Sequence, residues 1–277
     1  MQIKSINYIN FRNLKNNKLE FHPRFNIFIG KNRQRKTSIL KAIYFSITGK
    51  SFRTKHIKEL IKYDYQDAGA MINYEDRLGK KSIGIKFNGK TREYLYNKSK
   101  VKFDEFIGRV NVISFIPDDI YLILGNPSLR RTFFDYEIAQ GNEIYYKNLK
   151  DFNKILKIRN KFLKEGKSKD PLFEVYNEKF IELSVKIFSK RFEYIKKLSV
   201  LLNLNYRKLF SDKSELKIVY KSFSENIFKS EDIMKEEFIK TLNKVEKQEK
   251  YRGVSLVGPQ KDDFIFLATH DKVDIVM

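Results

Sequence analysis

The sequence predicts an α/β fold, strand-rich in its first part and helical in its second. Three observations predict it. The apolar run Phe25-Asn26-Ile27-Phe28-Ile29 ends at Gly30 and leads to Thr37–Thr48, where Ile39, Leu40, Ile43, Tyr44 and Ile47 recur at three and four. That order reads as a buried strand, a tight turn and a helix packed on a sheet. Residues 68–101 alternate like antiparallel strands, and after about residue 127 the spacing turns helical over long stretches.

Taken in order, Ile3, Ile6 and Ile9 among polar neighbours predict a first strand, and Leu19 and Phe21 alternating with Lys18 and Glu20 a second. Ile83, Ile85 and Phe87 share one face of a strand, Asn88-Gly89 follows, and Tyr94 to Tyr96 pairs back. Asn-Gly there predicts a hairpin, because both residues accept positive φ. Val110–Ile116 is a further buried strand, closed by Pro117. Asn126-Pro127 marks a helix start. Tyr145, Leu149, Phe152, Leu156 and Phe162 then keep helical spacing up to a break at Gly166–Pro171. A second long helix over 174–202 carries Tyr176, Phe180, Leu183, Ile187, Phe188, Phe192, Ile195 and Leu202, and a third runs from about Ser230 to Lys247. Strand-like patterns return at Val254–Val257 and Phe264–Leu267. The expected organisation is a first lobe over 1–126, a helical lobe over 127–252, and strands over 253–277 that start the return to the first lobe.

Composition narrows the function. With 277 residues, 42% of them hydrophobic, and 24 Phe and 16 Tyr, the chain has the means to bury a core, which excludes wholesale disorder. A formal charge of +22 draws it to polyanions, nucleic acids first and membrane surfaces second. Cysteine is absent and the three histidines, His22, His56 and His270, are far apart in sequence. Disulfides, thiolate zinc sites and cysteine nucleophiles are excluded, and histidine metal sites and Ser-His-Asp triads are set aside. The N-terminus lacks the apolar core of a signal peptide, and no apolar run approaches the ~18 residues of a membrane span. A soluble, cytoplasmic protein without membrane association is expected.

The sharpest local signal is Gly30-Lys31-Asn32-Arg33-Gln34-Arg35-Lys36-Thr37, between a strand and a helix. A Walker A loop, G-x-x-x-x-G-K-[ST], has that context. Its glycines let backbone amides curl around phosphate oxygens, its lysine reaches the outer phosphates and its hydroxyl holds magnesium. Gly30, Lys36 and Thr37 are in register, but Arg35 occupies the second glycine position. An L-residue held left-handed there costs about 1–2 kcal/mol, and its bulk threatens the phosphate cradle. Arg33 and Arg35 also add guanidinium charge, which suits phosphate. An ordinary basic strand-to-helix loop is the plainer alternative.

Further stretches extend the pattern. Asn10-Phe11-Arg12-Asn13-Leu14 followed by Gly30…Lys36-Thr37 resembles the head of the SMC-like ABC ATPases, and within that group the chain is similar to the RecF family of DNA repair and replication. Gly49-Lys50-Ser51-Phe52-Arg53-Thr54, Pro117-Asp118-Asp119, Gly125–Asp135 with its Arg130-Arg131 pair, and Leu256–Asp263 resemble family motifs in the same order. The departures are Arg33 and Arg35 at glycine positions, Gln260 for a histidine and Lys261 for an arginine. The sequence stops at Val276-Met277, ahead of where the family carries its signature segment, Walker B strand and D-loop. Val112–Asp119 imitates a Walker B run, but Pro117 interrupts it.

The resemblance implies a P-loop ABC/SMC-like ATPase head, a mixed sheet around the P-loop helix with a helical second lobe, C-terminally incomplete. It implies that residues 30–37 cradle ATP, with Lys36 and Thr37 as the essential pair and Thr37 on magnesium, and that Arg12 and Asn13 approach the nucleotide. A turn satisfied by Asn13 is the other reading of that pair. Arg130 and Arg131 either contact phosphates, tie the lobes together or form an ion pair with Asp135. Lys186, Lys190, Arg191, Lys196 and Lys197 form either a solvated helix face or a DNA-backbone surface. The implied function is ATP-controlled DNA binding in repair, replication and the SOS response to DNA damage. It covers recognition of single-stranded gaps or junctions and recombinase loading, with RecO- and RecR-type partners. Two heads of the family sandwich ATP, and this sequence holds at most half of that chemistry, so ATPase activity and dimerisation are doubtful here. The alternatives are a decayed RecF fragment that binds DNA without an ATP response, another P-loop SMC-like protein such as a nuclease subunit, and an unrelated P-loop kinase. An open apolar face beside the P-loop strand is also expected.

Overall fold

The computed structural model describes residues 1–31, 35–51, 56–210, 214–224, 230–270 and 273–276. The chain divides into two units, Met1–Ser114 and Phe115–Met277. The boundary falls before the Pro117-Asp118-Asp119 motif rather than at 126.

The first unit starts with β1 (Gln2–Ile9) and β2 (Asn17–Glu20), then α1 (Lys36–Thr48), a 3₁₀ turn at Ile57–Leu60, β3 (Asp67–Asp76), β4 (Gly79–Asn88), β5 (Arg92–Tyr96), β6 (Ser99–Val101) and a single helical turn, α2 (Phe103–Phe106). Its six strands form one sheet in the order β2-β1-β3-β4-β5-β6. The resemblance implies a mixed sheet; every pairing among the described strands is antiparallel. α1 lays Ala42, Phe45 and Ile47 on this sheet, and Phe45 meets Phe87 of β4 at 4.8 Å between ring centroids and Phe11 at 6.1 Å. Truncating a ring in such a core costs about 3–5 kcal/mol. Gly49 ends α1 in the left-handed conformation, φ 67°, with its amide on the Phe45 carbonyl, a stop that a side chain would strain.

Two expected strands do not form. Phe25, Ile27 and Ile29 are more than four-fifths exposed, and neither 25–29 nor 110–116 pairs with any described strand. Val110 is buried and Val112 packs on the core, while Ile113 and Phe115 alternate outward. An apolar run marks a wish for burial, but a strand also needs a neighbouring ladder for its amides and carbonyls. The hairpins differ as well. Neither Asn88 nor Gly89 has positive φ; the Asn88 carboxamide instead accepts the Lys90 and Thr91 amides at 2.9 and 2.8 Å. The turn with two left-handed residues is the next one, at Asn97 and Lys98, φ 48° and 67°.

The second unit holds a 3₁₀ turn at Pro117–Ile120, then α3 (Tyr121–Leu124), α4 (Pro127–Gly141), α5 (Glu143–Lys164), α6 (Pro171–Leu209), β7 (Ser214–Lys221), α7 (Glu231–Arg252), a 3₁₀ turn at Pro259–Lys261, β8 (Asp263–His270) and β9 (Val273–Val276). Caps set the helix starts. Asn126, Asn142, Asp170 and Ser230 each accept a first-turn amide, and Pro127 and Pro171 sit where a missing N–H costs nothing. β7-β8-β9 form an antiparallel sheet, so residues 263–276 belong with the helices rather than with the first unit. Residues 254–257 form no strand. Asp119 caps its own turn, accepting the Ile116 amide at 2.8 Å. Among the described residues no helix is long and apolar enough to cross a membrane.

Candidate functional site

The start of α1 gathers the loop residues. Lys36 is its first residue and Thr37, exposed, follows in the first turn. Arg35 is the cap residue, left-handed at φ 67°, ψ −8°, which is the conformation its glycine position requires and which costs an L-residue about 1–2 kcal/mol. Among the described residues no side chain caps α1, and no acid lies in its first turn. The Ser38 and Ile39 amides turn back to the Arg35 carbonyl at 2.9 and 3.2 Å. The Lys36 ammonium donates to the Gly30 carbonyl and, at 2.7 Å, to that of Lys31, drawing the loop's two ends together. Burial pushes the Tyr8 phenol of β1 up in pKa, and the nearby Arg35 charge draws it back. Asn32, Arg33 and Gln34 lie outside the described residues, as does 52–54 of the Gly49–Thr54 motif.

A second strained segment meets α1 from the loop after β1. Asn10 and Arg12 are both left-handed at φ 49°. Asn16 accepts the Asn10 amide at 2.8 Å, the Arg12 amide donates to the Leu60 carbonyl at 2.8 Å, and Phe11 and Leu14 are buried. These fix Asn13 so that its side-chain carbonyl accepts the Ser38 hydroxyl at 2.8 Å. Asn13 therefore serves the first turn of α1 and brings the Arg12-Asn13 pair to it. Asn and Asp tolerate positive φ readily, whereas arginine does so at a cost. Both left-handed arginines among the described residues flank this helix start, and strain of this kind collects at functional sites. No described group of three acidic or histidine side chains is placed to hold a metal.

Of the basic side chains read together on α6, one lies elsewhere. Arg191 is 2% exposed and belongs to the interior. Lys190 and Lys197 both bind Glu193, at 2.7 and 2.8 Å, and Lys186 binds Glu182. Lys196 is exposed. The paired lysines pull the Glu182 and Glu193 carboxyls down to about 2. Counting charges along the sequence hid these carboxylates, which stand one turn from the lysines.

Arg191 instead organises the second unit. Its guanidinium grips Asp135 with two bonds of 2.9 Å and reaches Asp262 at 2.8 Å and the Pro259 carbonyl at 2.7 Å. Tyr145 donates to Asp135, Ser222 donates to Asp262 at 2.6 Å, and the Tyr220 hydroxyl donates to Asp262 as well. Arg130 takes Asp263 with bonds of 2.7 and 2.9 Å, and Arg131 donates to the Asp262 carbonyl at 2.7 Å. The expected ion pair of Arg130 and Arg131 with Asp135 is thus corrected: the Arg pair belongs to Asp262-Asp263, and Asp135 to Arg191. Burial raises the Asp262 carboxyl, against the pull of Arg191. Gly258, φ 127°, lets the turn approach closely, since a Cβ there would lie 2.9 Å from the Phe180 ring. Two distant motifs, Gly125–Asp135 and Leu256–Asp263, so become one buried network. Tyr220 and Ser222 carried no signal in the sequence, and Tyr145 signalled only its helix.

No protein-family model matches the chain. The DNA replication and repair protein RecF of Alkaliphilus oremlandii is 35% identical to it over 271 residues, covering 96% of this chain and 73% of that protein. The chain belongs to the RecF family. The RecF of Bacillus cytotoxicus is 32% identical over 280 residues, 99% of this chain and 75% of its own length. Among solved structures, the recombination mediator protein RecF with ATP superposes with a TM-score of 0.89 at 28% identity, covering 99% of this chain and 74% of that one. The chain thus spans about three quarters of its RecF relatives and carries the fold of a P-loop ABC-type ATPase head with its helical part.

Proposed function

We propose that this RecF-family chain is a DNA-binding protein of repair and replication whose DNA binding is controlled by ATP. The observation that carries the reading is the start of α1. A helix N-terminus without a side-chain cap among the described residues follows the loop that opens at Gly30, bears Lys36 and Thr37 in its first turn, and is met by Arg12-Asn13 through Ser38. Such a terminus suits an anion, because its free amides and its dipole both favour negative charge. A related RecF has been solved with ATP, which supports the same site here.

In this reading Gly30 and Lys31 open the phosphate loop, with Asn32, Arg33 and Gln34 completing it. Lys36 exchanges the carbonyls of Gly30 and Lys31 for the outer phosphates, and Thr37 turns its hydroxyl to magnesium. Were MgATP bound, Gly30, Lys31, Lys36 and the α1 terminus would hold its phosphates, with Arg12 near enough to add charge, and the nucleotide would supply the negative charge that this basic site lacks. Arg35 is the poor fit: it meets the backbone requirement with strain and places a long side chain at the cradle. Gap or junction recognition, recombinase loading, RecO- and RecR-type partners and pairing of two ATP-bound heads belong to the same reading through the family. The charge of +22 supports the DNA part.

A second reading, DNA binding without a nucleotide response, is favoured by the left-handed Arg35. Fluorescence anisotropy on a gapped duplex separates the two. With MgATP, affinity changes severalfold in the natural chain or in its Arg33→Gly, Arg35→Gly form if ATP controls binding, and Lys36→Ala removes the change. Identical affinities with and without MgATP in both forms support the second reading.

A further inference from the structure

The excess charge of the chain is unevenly placed. Residues 1–114 hold 25 of the 56 basic side chains but only 9 of the 34 acidic ones, so the first unit carries +16 and the second +6. The attraction for a polyanion therefore centres on the first unit, while the lysines of α6 are largely answered by Glu182 and Glu193.

On the first unit one groove concentrates unanswered charge. It lies between the 3₁₀ turn at Ile57–Leu60 and the β4–β5 hairpin, has a volume of about 640 Å³, and is lined by His56, Lys58, Glu59, Gly89, Lys90 and Arg92. Among the described residues no carboxylate stands within ion-pair distance of Lys58, Lys90 or Arg92, and all three are exposed. Among the described residues Glu59 is the single acid lining it. The groove is also pre-organised. Asn88 clamps the hairpin tip, taking the Lys90 and Thr91 amides and the Thr91 hydroxyl, while the Asn88 amide closes on the Thr91 carbonyl at 3.1 Å. The Lys58 stem lies across Gly89, its Cγ 3.5 Å from where a Cβ on Gly89 would stand. Two elements distant in sequence thus hold three cations along one shallow surface, with the hairpin backbone and the Lys58 stem held in place.

We propose that this groove is a phosphodiester-backbone contact for DNA, and that it, rather than the α6 face, anchors the DNA that the proposed function requires. Three exposed cations without aromatic or amide side chains aimed from between them grip phosphates and read no base edges. Contact here is therefore insensitive to sequence and steeply sensitive to salt, each neutralised phosphate adding about 0.9 to the slope of log K against log salt.

The test is anisotropy with a labelled 30-base-pair duplex over a salt series, using the full chain. Lys58→Gln, Lys90→Gln, Arg92→Gln together should flatten the slope by about 2–3 and weaken binding at least tenfold at low salt. Lys186→Gln, Lys190→Gln, Lys197→Gln, which removes the same formal charge, should move the slope by less than about 1. Lys90→Gln alone, at an exposed hairpin tip, should flatten it by about 0.9 and guards against a folding defect in the triple variant. Equal losses in the two triple variants, or full binding without the groove cations, overturns this assignment while leaving DNA binding intact. No binding by the natural chain overturns the DNA reading on which the assignment rests.

Discussion

The Asn13 side-chain carbonyl accepts the Ser38 hydroxyl at 2.8 Å, joining the loop after β1 to the first turn of α1. One hydrogen bond across 25 residues of sequence therefore sets where Arg12 stands relative to Lys36 and Thr37. Asn13→Ala removes the acceptor and leaves the buried Ser38 hydroxyl without it, for about 1 kcal/mol of stability. Asn13→Asp keeps an acceptor. If Asn13 positions the site, Asn13→Ala weakens nucleotide binding severalfold beyond its small effect on urea unfolding, and Asn13→Asp restores most of it. Equal nucleotide affinity in all three chains assigns the bond to folding alone.

Arg35→Gly relieves the left-handed strain at the cap of α1. The relief of about 1–2 kcal/mol is offset in part by the greater freedom of glycine in the unfolded chain. A net gain of about 0.5–1 kcal/mol is expected in chemical denaturation. A loss would mean that the interaction of Arg35 with Tyr8 outweighs the strain.

Arg191→Met leaves Asp135 and Asp262 buried without their shared cation. Breaking a buried pair from one side costs about 3–5 kcal/mol, enough to unfold the second unit or lower its midpoint sharply. Lys190→Ala, on the exposed side of the same helix, should cost under about 1 kcal/mol. Circular dichroism during thermal unfolding compares them, and a mild Arg191→Met would show that the network is not the unit's support.

Acid should loosen α6 late. The Glu182 and Glu193 carboxyls are held down at about 2 by lysine hydrogen bonds, Lys179 and Lys186 on one, Lys190 and Lys197 on the other. A depressed folded-state pKa adds stability that is full above the unfolded carboxylate value and fades as pH falls through the folded one. Their contribution is therefore lost between about pH 4.5 and 2, and it is small because both groups are nearly half exposed. Glu182→Gln, Glu193→Gln should flatten the stability profile over that window by lowering stability slightly near neutrality while leaving it unchanged below about pH 2.

Much of this was legible in the sequence, for local reasons. α1, α5, α6 and α7 announced themselves through periodicity, and α4 through its start at Asn126-Pro127. The left-handed demand at Arg35 followed from the P-loop register. What stayed hidden was partnership. The apolar runs at 25–29 and 110–116 gave no sign of whether a ladder would stand beside them. Arg191 read as surface because it sits among lysines, and only the fold brings Asp135 and Asp262, 56 and 71 residues away, onto it. The groove of Lys58, Lys90 and Arg92 was illegible for the same reason, since its two sides meet only through a hairpin whose turn is built by Asn88.

Equilibrium binding of MgATP by titration calorimetry tests the central claim most directly, using the natural chain, Arg33→Gly with Arg35→Gly, and Lys36→Ala. A phosphate loop narrowed by Arg35 predicts weak binding by the natural chain, binding at least tenfold tighter in the double variant, and none in Lys36→Ala. Low-micromolar binding by the natural chain that the glycines do not improve, or binding that survives Lys36→Ala, would contradict the account.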